Sequence, residues 1–305
     1  MIEFAARLLY VLAACVARMP WPLLMRLGDA IAWAWRKLDA REARVSRRNL
    51  ELAFPRLPAD ERERLQRAIL RTTARQALET LRLWTRPHAR NLALIRERHG
   101  EALFDAALAA GDGLIVAAPH YGNWELLNQW LAAKTPISIL YRPPKSAVAE
   151  AFLRLVRADS AERVTQIRAE GPAVRRLWKL MKQGGVTGIL PDQQPKAGDG
   201  EFAPFFGKPA LTMTLLNRLA ERSGAAVLFA YCERIGEGPE FALRIESAPP
   251  GIAASDPVAG VGALNAAVER IAERDPAQYQ WTYKRYTLRP PGSGEDNPYR
   301  DLETH

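Results

Sequence analysis

His120 and Glu125 stand five residues apart in the stretch Gly113-Leu-Ile-Val-Ala-Ala-Pro-His-Tyr-Gly-Asn-Trp-Glu125, and the two side chains are of types that transfer protons. Imidazole titrates near neutral pH. A carboxylate bonded to one ring nitrogen fixes the tautomer and favours the protonated ring, leaving the other nitrogen to take a proton from a hydroxyl. On one regular helix a separation of five residues would put the side chains about 140° apart. They meet only if a turn intervenes.

The local pattern supplies a turn. Leu114 to Ala118 is a short apolar run closed by Pro119, which suits a core strand ending in a loop and places His120 at the strand's carboxyl end. Gly122 and Asn123 carry turn and N-cap chemistry, and Trp124 to Leu131 continues with helical spacing, so Glu125 falls in a first helical turn. The same residues also admit a purely structural arrangement, with His120 bonding a carbonyl and Glu125 favoured by the helix dipole. The stretch alone leaves both open.

The elements that would position the pair are strands and helices in alternation. Strands are expected at Ile137 to Tyr141, Val164 to Ile167, Val186 to Leu190, Ala226 to Tyr231 and Glu240 to Glu246, with helices near Ser146 to Ala158, Gly171 to Gln183 and Leu211 to Arg222. This order predicts an α/β fold: a mixed, largely parallel sheet flanked by helices, with active residues at the strand ends. Arg142 follows one such strand and suits a bidentate phosphate or carboxylate contact, while Asp192 and Gln193 follow another and should project on the same edge as His120. The glycine-rich stretch Gly198 to Thr214 reads as a loop into a helix. Its Phe205, Phe206 and Thr212 either line an apolar slot or fill the core.

Upstream, residues 1–40 are rich in apolar and aromatic side chains, but Arg7 and Arg18 bracket an uninterrupted run far shorter than the roughly 20 residues of a spanning helix. Two helices split at Met19-Pro-Trp-Pro22 are expected, either lying in a membrane interface or packed as an ordinary hairpin. A long amphipathic helix should cover Ala59 to Arg86, followed by a polar linker to Arg98. Residues 41–288 then form the α/β domain, and the Pro-, Gly- and charge-rich residues 289–305 a flexible tail.

Composition bounds the function. The chain has 305 residues and a formal net charge of +9, which favours acidic partners. Its arginines are spread along amphipathic helices without a nucleic-acid module, so nucleic acid is not expected. Cys15 and Cys232 are far apart, and His88, His99 and His305 offer no ligand spacing, so neither a disulfide framework nor a metal site is expected. No cofactor motif is visible.

Several blocks in order resemble one family. Arg47-Arg-Asn-Leu50 before Phe54-Pro55, the H-x4-E pair of His120 and Glu125, Arg142, Pro191-Asp-Gln193, Phe205-Phe-Gly207 with Pro209 and Thr212, and Gln280-Trp-Thr-Tyr-Lys-Arg285 are similar to the late acyltransferases of lipid A biosynthesis. These lauroyl and myristoyl transferases share a core with glycerolipid acyltransferases. The resemblance implies an enzyme on the cytoplasmic face of a Gram-negative inner membrane, with acyl carrier protein as donor and an anionic lipid A precursor as acceptor. It further implies His120 as general base on the acceptor hydroxyl, Glu125 as its orienting partner, Arg142 on an acceptor phosphate or developing charge, and Asp192 in support. Transfer would be direct, since no nucleophilic Ser or Cys motif is evident. Acceptors such as another glycolipid, an ornithine-type lipid or a glycerolipid fit the same pair, as does a lipid-binding protein without turnover.

Overall fold

The computed structural model describes residues 1–141, 144, 146–156, 163–168 and 173–302. Arg142 and the end of the helix expected to reach Ala158 lie outside the described residues.

The chain opens with helices α1 (Ile2–Ala17), α2 (Trp21–Lys37), α3 (Arg41–Ala53), α4 (Ala59–Thr85) and the short α5 (His88–Leu92). Strand β1 (Ile95–His99), α6 (Glu101–Ala110), β2 (Leu114–Ala117), α7 (Trp124–Lys134), β3 (Ile137–Tyr141), α8 (Ala147–Val156), β4 (Val164–Arg168), α9 (Ala173–Lys182) and β5 (Val186–Ile189) follow. A hairpin of β6 (Gly200–Phe205) and β7 (Lys208–Met213) precedes α10 (Leu215–Ser223), β8 (Ala226–Arg234), β9 (Phe241–Ser247) and α11 (Pro257–Arg274).

Seven strands form one sheet in the order β1-β9-β8-β2-β5-β3-β4, mostly parallel, with β8 and β9 antiparallel. Strand β2 lies at the centre, in register with β5 (Leu114 opposite Val186) and with β8 (Leu114 opposite Ala226). All four of its residues are buried, as a strand covered on both faces requires. Its side chains alternate between two cores. Ile115 and Ala117 join Leu177 of α9, Leu216 of α10 and Leu264 of α11, while Leu114 and Val116 join Phe104 of α6 and Leu126 and Trp130 of α7. The expected α/β fold is therefore the observed one.

Helix α4 is long enough, at 1.5 Å per residue, to serve both layers. It gives Ile69 to one core and Leu83 to the other. Helix α1 lies against α4 and α8 through small residues, with Ala6, Ala13 and Ala17 buried on one face, and α2 lies against α4. Among the described residues no single helix is long and apolar enough to cross a membrane; α1 and α2, bent by 111° at their break, satisfy length and composition only together.

Three expectations change. The polar linker to Arg98 contains α5 and the edge strand β1, whose last four residues are exposed, so that charged side chains hid a strand. The glycine-rich loop is the β6–β7 hairpin, and the following helix starts at Leu215 because β7 takes Leu211 to Met213. Phe206 and Gly207 turn the hairpin with φ of 49° and 69°, the positive values that match strand twist in a two-residue turn. Third, residues 289–302 fold back onto the domain: Tyr299 is fully buried and its hydroxyl bonds Asn49, and Arg48 pairs with Asp301 at 2.7 Å. An aromatic ring and charges of both signs let a polar-looking tail dock.

Candidate active site

The loop after β2 is held from several sides. Tyr121 bridges Tyr279, and the Gly122 and Asn123 amides donate to the carbonyls of Gln278 (3.1 Å) and Cys232 (2.8 Å). The Gln280 amide donates to the His120 carbonyl at 3.0 Å. Gly122 has a φ of 59°, and a Cβ there would lie 2.0 Å from the Cys232 oxygen, so only glycine fits. Helix α4 supports the turn from below: Gln76 donates to the Gly122 carbonyl at 2.6 Å, and buried Glu79 accepts from Asn123 at 2.9 Å and pairs with Arg234. Asn123 in turn caps α7 by accepting the Leu126 amide at 3.1 Å.

Beneath His120, Tyr121 donates to Glu233 at 2.6 Å, and Arg274 and Arg244 grip the same carboxylate at 2.9 and 2.5 Å. Burial pushes this carboxyl up, but the bonds from Arg274, Tyr121 and Arg244 outweigh it and hold Glu233 down at about 2. The loop thus rests on an ion cluster charged throughout the working pH range.

The imidazole of His120 is oriented by Asp192. Strand β5 neighbours β2, so the loops after them meet although 72 residues separate the side chains. Asp192 accepts Nδ1–H of His120 through Oδ1 at 2.7 Å and the His120 backbone N–H through Oδ2 at 2.9 Å. Burial pushes the Asp192 carboxyl up, yet the charge of His120 and its two hydrogen bonds prevail and hold it below the ordinary carboxylate value. Burial, and after it the Asp192 charge, pushes the Tyr279 phenol well above its ordinary value, so Tyr279 stays a neutral hydroxyl beside this carboxylate.

On the other side of the ring, the amide nitrogen of Gln193 lies 3.1 Å from Nε2 and 3.2 Å from the Gln280 Oε1. An acceptor at Nδ1 and an amide donor at Nε2 assign the same tautomer: hydrogen on Nδ1, a lone pair on Nε2. Trp124 packs edge-on against the ring at 5.1 Å. The Gln193 amide thus occupies the Nε2 lone pair.

A cavity of about 340 Å³ is walled by His120, Trp124, Glu125, Gln193 and apolar side chains including Leu131, Ile139, Leu140, Leu153 and Met213.

The expected site residues separate into two groups. His120, Glu125, Asp192 and Gln193 converge at the carboxyl edge of the sheet. The orienting bond at Nδ1, expected from Glu125, is supplied by Asp192; Glu125 is buried in the first turn of α7 and lines the same cavity. Phe205, Phe206 and Thr212 belong elsewhere. Phe205 is core, stacked near Phe206 and Tyr286; Phe206 packs on Phe54 and Trp281; Thr212 is buried and bonded to Asn265 and Arg285. Their aromatic and hydroxyl character serves packing of the hairpin. Sequence reasoning singled out the block beginning at Gln280 without giving that residue a role, and missed the Gln76–Glu79 support, since two polar residues on a long helix carry no local signal.

The site is a histidine held by a carboxylate in the wall of an apolar cavity, on an α/β sheet, and relatives give its class: this chain is an acyltransferase. Residues 2–287 match the family model for bacterial lipid A biosynthesis acyltransferases, and the chain belongs to that family. It is 27% identical over 279 residues to the lipid A biosynthesis palmitoleoyltransferase of Escherichia coli K12, covering 90% of this chain and 88% of the relative. It is 25% identical over 281 residues to the lauroyltransferase of the same organism, covering 91% and 89%. A phosphatidylinositol mannoside acyltransferase of Mycobacterium tuberculosis CDC 1551 / Oshkosh is 30% identical over 199 residues, covering 64% and 62%.

Proposed function

We propose that this acyltransferase moves a fatty acyl group from acyl carrier protein to a hydroxyl of a lipid A precursor at the cytoplasmic face of the inner membrane. The observation that carries the reading is the His120 ring held at Nδ1 by Asp192 in the wall of a largely apolar cavity, where an acceptor hydroxyl takes the place of the Gln193 amide at Nε2. The acceptor O–H proton passes to Nε2 as the oxygen attacks the thioester carbon. The thiolate then leaves and takes the proton back from the imidazolium, so no covalent enzyme intermediate is needed. Asp192 holds the ring and stabilises its protonated form. Glu125 adds a second carboxylate to the cavity wall and favours the same charged state. Arg142, following β3, is the residue we assign to an acceptor phosphate or to developing negative charge.

The exposed apolar face of α1, with Phe4, Leu8, Val11 and Leu12, supports attachment by lying on the lipid interface. A second acceptor class is favoured by one finding, the 30% identity to an enzyme named for phosphatidylinositol mannoside. One assay separates the two. Purified protein is given acylated carrier protein with a lipid A precursor, a phosphatidylinositol mannoside or a diacylglycerol as acceptor. Transfer to the lipid A precursor, lowered about 100-fold or more by His120→Ala, is the expected result. Acylation of another lipid alone would sink the lipid A assignment, and full activity of the His120→Ala protein would sink the mechanism.

A further inference from the structure

Direct transfer holds two substrates at once, so a single cavity of about 340 Å³ leaves one of them unhoused. A second and larger groove, of about 810 Å³, lies between α9 and α10. It shares the wall residues Leu140, Pro195 and Met213 with the cavity at His120, so the two are contiguous. Its chemistry differs. Val174 and Trp178 of α9, 48% and 41% exposed, form an uncovered apolar strip together with half-buried Leu215. Arg175, Arg218 and Arg222 stand along it.

These cations are poorly neutralised. Among the described residues Arg175 and Arg218 have no acidic partner, and Arg222 touches only its neighbour Glu221, at 4.0 Å. Among the described residues lining the groove, exposed Asp199 is the one acid against three arginines. Three guanidiniums in excess of the acids beside them suit phosphate oxygens, and the apolar strip next to them suits hydrocarbon.

We propose that the α9–α10 groove binds the acceptor lipid through a phosphate on its headgroup, with the guanidiniums on the phosphate and the lipid's chains along Trp178, Val174 and Leu215. This rests on the two-substrate reaction above. A lipid is favoured over an acidic carrier protein because the surface is concave, largely apolar and within the roughly 300–1,000 Å³ typical of small-ligand sites, whereas a protein partner calls for a broad complementary face. The shared wall then brings an acceptor hydroxyl toward Nε2 while the donor chain occupies the cavity.

The test is equilibrium binding of dilauroyl phosphatidic acid in neutral detergent micelles, with dilauroylglycerol and inorganic phosphate as comparisons. The whole protein should bind phosphatidic acid at least tenfold more tightly than dilauroylglycerol, and inorganic phosphate should not compete at the same concentration. Combined Arg175→Gln, Arg218→Gln and Arg222→Gln should erase the preference, whereas Lys at the three positions should retain most of it. His120→Ala should bind as the unaltered protein does, so loss of turnover and loss of this site read out separately. Equal affinity in the Gln variant, or full competition by inorganic phosphate, overturns the proposal. In acyl transfer the Gln variant should raise KM for the phosphorylated acceptor; a raised KM for acylated carrier protein alone would assign the groove to the carrier and overturn it too.

Discussion

At the carboxyl edge of the sheet, His120, Asp192, Asn123 and Glu79 are buried polar groups, each with partners from a different element. Along α1 the reverse holds: Phe4 is 74% exposed, and Leu8, Val11 and Leu12 are half exposed on one helical face. Buried polar groups tolerate no slack, because a lost partner leaves a desolvated group unsatisfied. An exposed apolar stripe asks only for an apolar environment and sets no precise geometry. The first region holds an imidazole by directed bonds from several elements, and the second leaves apolar side chains uncovered.

The contrast can be broken at either end. The largest effect is expected from Asp192→Asn, which removes the anion at Nδ1 and unsettles the tautomer. Turnover should fall about 1,000-fold with KM little changed, the pattern of lost stabilisation in the transition state. A drop below tenfold would mean that Asp192 only supports the loop.

Gly122→Ala comes next. Its Cβ would collide with the Cys232 carbonyl at 2.0 Å in a backbone conformation that L side chains avoid, and about 2–4 kcal/mol of stability should be lost in denaturant unfolding. Unchanged stability would show that the turn can relax.

On the other side of the comparison, Leu8→Asp with Val11→Asp should leave unfolding unaffected, since both side chains are exposed. Binding to anionic vesicles should weaken by about tenfold or more, given roughly 1.5–3 kcal/mol for each large apolar side chain withdrawn from water. Vesicle binding that survives would move the lipid contact away from α1.

The last expected effect concerns Glu233 and is read in acid unfolding. Its folded carboxyl lies at about 2 against an ordinary 4.5, so the stabilisation is complete above 4.5 and is lost as pH falls toward 2. Replacing Glu233 with Gln should flatten that part of the acid unfolding curve, at the cost of stability throughout the neutral range.

Much of this was legible along the chain. The apolar run Leu114 to Ala118 marked the central strand, Pro119 its end, and Asn123 the start of α7, because strand burial, proline geometry and N-capping act over a few residues. His120 and Glu125 were visible for the same reason, and Asp192 and Gln193 as polar residues just beyond a strand. Edge strand β1 was hidden by its exposed charges, and the hairpin by the glycines and prolines that also mark loops.

By itself the sequence determined the alternation of elements, and with it the α/β class and the edge of the sheet where active residues collect. Only the tertiary structure decided which carboxylate holds the histidine. Glu125 is five residues from His120 and Asp192 seventy-two, but sequence distance does not set which loops touch. That follows from strand order, and β5 lies beside β2 because long-range pairing and two-sided burial place it there. The same long-range packing put Phe205 in the core with Phe206 packed against it, and left Val174 and Trp178 uncovered beside three arginines.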